Sequence, residues 1–121
     1  MSARTNAHRG ALEAIERVLN RGGDADGVLR HVVAILHERG GYAWAAIRFV
    51  EGTELVLGPT AGTPGPAATV RVEYQGRHVA ALEASPAATD EDDRSFLERV
   101  ATLVSPYCVV AWDTGGERGQ P

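Results

Sequence analysis

The sequence predicts an α+β fold in which helices gather on one face of an antiparallel sheet of about four to five strands. Two observations lead to this prediction. Apolar residues recur with helical spacing in the first third of the chain and again near its C-terminus. Between these segments, from Tyr42 to Ala84, the pattern changes to strand-like runs that short glycine-containing turns interrupt. Helices that flank hairpins in this order favour a layer of helices against one face of the sheet.

Two helices are predicted in the first third of the chain. The first has an apolar stripe that stops before Gly22-Gly23, and its members are Leu12, Ile15, Val18 and Leu19. Either Asp24 or Asp26 has the residue type and position of an N-cap for the second helix. That helix carries a wide apolar face and ends at Gly40-Gly41, which indicates that it packs against a large surface.

The central segment predicts two hairpins. Their turns are Glu51-Gly52 and Gln75-Gly76, and an irregular loop rich in proline and glycine, Pro59–Ala67, lies between the hairpins. The predicted strands are residues 42–50, 53–57, 69–74 and 77–84. Strands joined by such short turns are antiparallel neighbours.

A third helix is predicted after Ser85-Pro86. Thr89 and Asp92 have the spacing of a capping box, and an apolar stripe continues from Phe96 toward the C-terminus. Pro106 is expected either to kink this helix or to end it. The chain is thus predicted to be one domain, residues 9–113, between a flexible N-terminus (1–8) and a flexible tail (114–121).

Charge and composition exclude several classes of partner. With a net charge of −4 and no cluster of basic residues, the 121-residue chain is not expected to bind nucleic acid. No stretch has the character of a membrane span or a secretory signal, so we expect a cytoplasmic protein that makes no membrane contact.

Cys108 is the only cysteine, which excludes an intramolecular disulfide, and its thiol is expected to be buried and unreactive. No metal site and no cofactor are predicted, since the histidines lack a metal-binding pattern.

Three sequence segments together resemble the GAF domain. The strand Val79–Pro86 runs through Ser-Pro into the acidic helix start Thr89–Leu97, and Leu57-Gly58-Pro59 precedes a Gly-x-Pro turn. In these details the chain is most similar to the free methionine-(R)-sulfoxide reductases, which are single GAF domains. The resemblance extends from about Leu12 to Trp112 and implies a GAF-like fold, with helices packed on one sheet face and a sensor or binding function in bacteria.

The same resemblance argues against the reductase activity. Two substrate-binding aspartates of the reductases' last strand correspond to Leu82 and Ala84, and the cysteines of their central segment have no counterpart. The resemblance therefore implies a stand-alone binding or dimerisation module in signalling or regulation that is not an enzyme. Two alternatives stay open: a divergent redox enzyme related to these reductases, and a structural subunit that binds another protein through the uncovered face of its sheet.

Strand alternation predicts what that uncovered face carries, if both turns contain two residues. Its apolar members are Trp44, Ala46, Leu55, Leu57, Ala80 and Leu82, and its polar members are Arg48, Arg71, Glu73 and His78. The residues predicted to face the helices are Ala45, Ile47, Phe49, Val56, Val70, Val72, Val79 and Ala81.

The candidate ligand-binding residues come from the first of these sets: Trp44, Arg48, Leu55, Leu57, Arg71, His78 and Leu82. Trp44 would supply an aromatic wall, and a basic side chain would hold an anionic group of a small molecule. Two other interpretations stay open. The face is a surface that binds a protein partner, or the loop Pro59–Ala67 covers it.

A homodimer is also predicted, because the resemblance implies that the first and last helices pair across a two-fold axis. The residues that would form this interface are Leu12, Ile15, Leu19, Leu103, Tyr107 and Val110.

Overall fold

A computed structural model of the chain describes the backbone of residues 3–86 and 91–111 and, within these ranges, the side chains of residues 6–109. The elements are α1 (Ala3–Arg21), α2 (Ala25–Glu38), β1 (Trp44–Glu51), β2 (Glu54–Gly62), β3 (Ala68–Tyr74), β4 (Arg77–Ser85) and α3 (Glu91–Ala111). The four strands form one antiparallel sheet in the order β2-β1-β4-β3, so β2 and β3 are its edges. The predicted α+β class is confirmed.

The core lies between the three helices and one face of the sheet. Its fully buried side chains come from every helix and from three strands, and the largest of them include Ile15, Leu29, Leu36, Ile47, Leu82 and Leu97. The middle helix, α2, buries the wide apolar face that the sequence predicted. Its N-cap is Asp24, whose side chain accepts a hydrogen bond from the backbone N–H of Gly27 at 3.0 Å. Asp26 instead pairs with Arg30 on the exposed side of the helix.

The first helix, α1, begins at Ala3 and so includes residues 3–8, which the sequence analysis assigned to the N-terminal segment. His8 is one turn ahead of Ala11, so its side chain lies on the face of α1 that packs into the protein, and it is only 8% exposed. The proposed capping residue Thr89 and the tail 114–121 lie outside the described residues.

One extra residue in β4 reverses the predicted faces of that strand. Val72 pairs with Ala80 while Glu73 pairs with His78, so Val79 has no partner and forms a β-bulge. Beyond the bulge, Ala80 and Leu82 point into the core rather than away from the helices, which corrects the predicted positions of both. Ala81, predicted to face the helices, lies on the opposite side for the same reason.

A second irregularity lengthens β2 beyond the predicted end at Leu57. Ala46 pairs with Thr60 and Arg48 pairs with Leu57, so β2 has one residue more than β1 over this stretch. The irregularity falls at Gly58-Pro59. A side chain at Gly58 would overlap the ring of Phe49, which explains why glycine is required there.

Pro106 neither ends α3 nor interrupts it, since the helix continues to Ala111. Proline has no N–H to donate to the carbonyl group of Thr102, one turn earlier. The hydroxyl group of Ser105 donates to that carbonyl oxygen at 3.0 Å and so replaces the missing bond.

Candidate functional site

The face of the sheet that is turned away from the helices, here called the open face, has its centre on β1 and β4. Its central side chains are Trp44, Ala46 and Arg48 from β1 and Ala81, Glu83 and Ser85 from β4. Ala46 lies directly opposite Glu83, with Trp44 and Arg48 one position away on either side along the open face. This register places one carboxylate between an indole and a guanidinium group.

These three side chains are joined by hydrogen bonds, and we call them the Trp44–Glu83–Arg48 cluster. Trp44 Nε1 donates to Glu83 Oε1 at 3.3 Å, and Arg48 Nε donates to Glu83 Oε2 at 2.6 Å. The side chains of Arg48 and Glu83 are 32% and 17% exposed, so the ion pair is partly withdrawn from water. Among the described residues, no group bonds to the two Nη groups of Arg48, which remain as donors for a ligand.

An apolar edge borders the cluster on the side of β2. Leu57 lies opposite Arg48 and Leu55 lies opposite Val50, both on the open face. The two leucines are 50% and 43% exposed, respectively. The cluster and these leucines therefore form one continuous surface with an apolar side and a charged centre.

The loop between β2 and β3 borders the other end of the open face. It must cross the ends of β1 and β4, because it joins the two opposite edges of the sheet. Ser85 Oγ donates to the carbonyl oxygen of Pro66 at 2.7 Å, and Thr63 N donates to the carbonyl oxygen of Ala43 at 2.9 Å. Trp44, at this end, is only 7% exposed, whereas the leucines at the edge are not covered.

The other predicted ligand-binding residues lie apart from the cluster. Arg71, on the outer strand β3, forms an exposed ion pair with Glu73 at 3.0 Å. His78 is near the far end of the sheet, where its buried Nε2 has no hydrogen-bond partner in the described chain, and it lines a cavity of about 580 Å³ together with Tyr74 and Cys108. Leu82 is fully buried against the helices and cannot line the open face.

A buried polar cluster that the sequence did not predict joins α1, the segment just before β1, and α3. Tyr42 OH donates to Asp93 Oδ1 at 3.0 Å, and His8 Nε2 lies 2.9 Å from the same oxygen and 3.1 Å from the tyrosine oxygen. The His8 ring is stacked on Phe96 with a centroid separation of 4.3 Å. The hydroxyl group of Tyr42 and the ring of His8 thus meet at one oxygen of Asp93.

Cys108 is the chain's single cysteine and is fully buried in α3, as predicted. Burial raises the pKa of its thiol to about 12, because the thiolate would lose its hydration. At neutral pH the sulfur is therefore protonated and shielded, which is the opposite of what a nucleophilic cysteine needs.

The predicted dimer stripe faces mostly inward. Ile15 is fully buried in the core, and Leu12, Leu19 and Tyr107 are partly buried against it. Tyr107 OH donates to the carbonyl oxygen of Leu19 at 3.4 Å, which ties α3 to α1 within the same chain. Leu103 is partly exposed, and the side chain of Val110 is outside the described residues. The inclusion of Ile15 in an interface was wrong, because the core already uses that side chain.

Comparison with solved structures identifies the fold. The free methionine-R-sulfoxide reductase from Neisseria meningitidis, in complex with its substrate, superposes with a TM-score of 0.77 at 19% identity, over 94% of this chain and 95% of that one. The GAF domain of a phosphoenolpyruvate-protein phosphotransferase from Coxiella burnetii gives 0.75 at 13% identity, over 95% and 99%. A putative GAF sensor protein from Burkholderia vietnamiensis gives 0.70 at 20% identity, over 98% and 96%.

The chain therefore has the fold of the GAF domain, as the resemblance predicted. No protein-family model and no curated relative matches the sequence.

Among the helices that the structure describes, none has both the length and the hydropathy to cross a bilayer. Within the same described ranges, no three histidine, cysteine or acidic side chains are grouped so that they could hold a metal ion.

Two features of the structure were not predicted from the sequence, although each left a signal there. Glu83 is the one carboxylate in the apolar run Val79–Ser85, and an acid in the middle of a central strand indicates a special role. His8 continues the helical spacing of Ala11 and Ile15 toward the N-terminus, which would have placed it on the packed face of α1.

Proposed function

We propose that this chain is a GAF-type sensor module of bacterial signalling or regulation, acting in the cytoplasm, that binds a small polar molecule at the Trp44–Glu83–Arg48 cluster. The observation that carries the proposal is the half-buried ion pair between Arg48 and Glu83 in the middle of the open face. A charged pair in that position costs desolvation that an alanine or valine would not, which favours a role in recognition over a role in stability.

The cluster has the chemistry to hold a small molecule with an anionic group. The free Nη groups of Arg48 offer two donors in fixed geometry, and the Glu83 oxygens offer further acceptor positions for an ammonium or hydroxyl group. Leu55 and Leu57 would contact an apolar part of the same molecule. A ligand that combines a charged end with a short apolar chain matches this surface.

The state of Cys108 supports a function without chemical catalysis. The only thiol of the chain is buried, its pKa is raised to about 12, and it lies in α3, on the other side of the sheet from the cluster. A thiol in that state is a poor nucleophile toward a substrate on the open face.

Thermal unfolding with a panel of free amino acids, their sulfoxides and small carboxylic acids tests the binding function. A ligand at a hundred times its Kd should stabilise the protein by about 2.7 kcal/mol and raise the melting temperature by several degrees. Arg48→Ala and Glu83→Gln should abolish the rise, whereas Glu98→Gln, a matched change in the exposed Arg94–Glu98 pair, should preserve it. Equal shifts in all four proteins would place the ligand elsewhere, and no shift with any compound would remove the proposal's support.

The alternative of a redox enzyme rests on the solved structure whose own substrate is a methionine sulfoxide. It is tested by assaying reduction of free methionine-(R)-sulfoxide with a dithiol, for the wild type and for Cys108→Ser. Activity in the wild type that disappears in Cys108→Ser would favour the enzyme over the sensor.

The alternative of a structural subunit rests on the exposed Leu55 and Leu57. Leu57→Asp should reduce capture of a protein partner from the native cell, and Trp44→Ala combined with it should abolish capture. Thr102→Asp is the control, since Thr102 is an exposed residue of α3 and lies in the helix layer rather than on the open face. Capture that is unaffected by Leu57→Asp would exclude the open face as the contact.

A further inference from the structure

The two edges of the sheet differ in how well they are protected against pairing. The edge strand β2 contains Pro59 and an irregular register at Gly58, and both features disfavour the addition of another strand. The other edge strand, β3, has seven residues without proline or glycine, and Thr69, Val70, Val72 and Tyr74 among them favour strand structure. Within the described part of the chain nothing pairs with its outer side.

Charged side chains from both layers of the molecule line this outer edge. A groove of about 510 Å³ runs along it, with Thr69, Arg71 and Glu73 contributed by β3 and Arg94, Glu98 and Thr102 contributed by α3. Val70, which points to the helices, lines it as well as Thr69 and Arg71, which point to the open face, so the groove lies at the edge of the strand rather than over one face. Arg71 and Glu73 are 64% and 50% exposed.

We propose that β3 pairs in antiparallel fashion with β3 of a second copy of this chain, about a two-fold axis that lies midway between Val72 and its own copy. Symmetry limits the choices for such a pair. A two-fold axis normal to the sheet places the same face of both copies on the same side. Because side chains directly opposite each other in an antiparallel pair share a face, an even-numbered residue of β3 must pair with an even-numbered residue of the second copy, and an odd-numbered residue with an odd-numbered one. The axis therefore lies midway between one residue and its own copy, and the registers differ only in which residue that is.

Charge selects among these registers. With the axis at Val72, each Arg71 lies opposite the partner copy's equivalent of Glu73, and this occurs twice by symmetry. The same register places Val70 opposite Tyr74 and Val72 opposite its own copy, which are apolar pairs on the other face. With the axis at Arg71, two guanidinium groups would face each other. With the axis at Glu73, two carboxylates would do so.

The proposed pairing gives one continuous sheet of eight strands. Both open faces lie on the same side, and the two copies of α3 lie side by side across the axis, because α3 covers β3. The charges of Arg71 and Glu73 then alternate across the centre of the joined open face. The main-chain hydrogen bonds provide the association, and these charges set its register.

Charge reversal tests the pairing. In sedimentation experiments over a dilution series, Arg71→Glu or Glu73→Arg should each weaken dimerisation by about tenfold or more, because two attractive pairs become repulsive. The double variant Arg71→Glu/Glu73→Arg restores both pairs and should recover the wild-type constant. Glu54→Arg, a charge reversal on the other edge strand, should have no effect. Circular dichroism melts verify that each exposed substitution leaves the fold intact.

A disulfide experiment tests the register independently. Opposed Cα atoms in an antiparallel pair lie roughly 4.5–5.5 Å apart, within reach of a disulfide. An equimolar mixture of Arg71→Cys and Glu73→Cys proteins should form a mixed cross-linked dimer under mild oxidation, and neither protein alone should do so to the same extent. Cys108 does not interfere because it is buried.

Three results would overturn the proposal: a monomeric wild type at every concentration up to about 0.3 mM, a dimer that is insensitive to both single reversals, or efficient cross-linking of the Arg71→Cys protein by itself. A dimer weakened by Leu103→Glu and not by the β3 variants would assign the interface to the helices instead. None of these results depends on a ligand, so they are independent of the proposed sensor function.

Discussion

At the residue scale, the residues of the neighbouring strand determine the hydrogen-bond partners of Glu83. Its partner in the register is Ala46, which is too small to contact the carboxylate end, so the side chain bonds to Trp44 and Arg48 instead. The positions at which the resemblance implied substrate-binding acids, Leu82 and Ala84, are fully buried in the core. An acid is thus present on the open face, although not at the positions where the resemblance led us to look.

Because the thiol of Cys108 is buried, we expect the free energy of unfolding to fall at alkaline pH. Its pKa is raised to about 12 in the folded protein, whereas an exposed cysteine in the unfolded chain ionises near pH 8.5. The stabilising contribution is complete below the unfolded pKa and is lost as the pH rises from there toward the folded pKa. At about pH 10.5, two units above the unfolded pKa, the loss should reach about 2.7 kcal/mol.

Urea unfolding of the wild type and of Cys108→Ala, near neutral pH and near pH 10.5, measures this contribution. The wild type should lose more stability than the variant between the two conditions, because the other titrating groups are common to both proteins. Identical losses would show that the thiol does not ionise on unfolding in this range.

At the element scale, Gly62 ends β2 under two constraints that glycine alone satisfies. Its φ is +91°, and a side chain there would overlap the carbonyl oxygen of Ala43. Gly76 has a similar φ of +81° but no atom lies near the position of its missing side chain. A comparison of Gly62 with Gly76 therefore separates the cost of backbone strain from the added cost of steric overlap.

Gly76→Ala should cost about 1–2 kcal/mol of unfolding free energy, the usual strain of a left-handed alanine. Gly62→Ala should cost at least twice as much, because the loop must also move away from Ala43. Denaturant unfolding of both variants checks the difference, and equal costs would mean that the loop yields without penalty.

The passage of α3 through Pro106 depends on Ser105. Ser105→Ala removes the hydroxyl group that bonds to the carbonyl oxygen of Thr102, and it should reduce stability by about 1 kcal/mol. Ser95→Ala, at an exposed position of the same helix, is the control and should change stability by less than about 0.5 kcal/mol. A Ser105→Ala protein as stable as the control would show that another group serves this carbonyl.

At the scale of the whole molecule, the cluster of His8, Tyr42 and Asp93 links the first helix, the entry to the sheet and the last helix. Tyr42→Phe removes one hydroxyl group and leaves the buried Asp93 with one fewer donor, which should cost about 1–3 kcal/mol. Tyr107→Phe removes a hydroxyl group whose bond is long and only partly buried, and it should cost less than 1 kcal/mol, on the order of a weak hydrogen bond.

Unfolding free energies of the two tyrosine variants test the relative importance of these links. Hydrogen exchange should also become faster in the first turns of α1 in Tyr42→Phe, because this cluster fixes that end of the helix. Unchanged exchange there would show that the apolar contacts of α1 are sufficient to hold it.

Local signals in the sequence predicted the elements well, and long-range contacts account for the differences. The cap at Asp24 and the turns at Gly52 and Gly76 follow from the residues at those positions. The role of His8 depends on Asp93, far along the chain, and local pattern does not show that contact. The bulge at Val79 has no residue signature, since valine is as common in a regular strand as at a bulge.

For protein engineering, the bulge at Val79 determines which positions of β4 are available for altering the open face. New side chains at Ala81, Glu83 or Ser85 would be displayed on the open face, whereas polar side chains at Leu82 or Ala84 would disrupt the core. Deleting Val79 would exchange the two sets, because a shift of one residue reverses every later orientation in the strand. The length of this hairpin therefore decides which residues of β4 the open face carries.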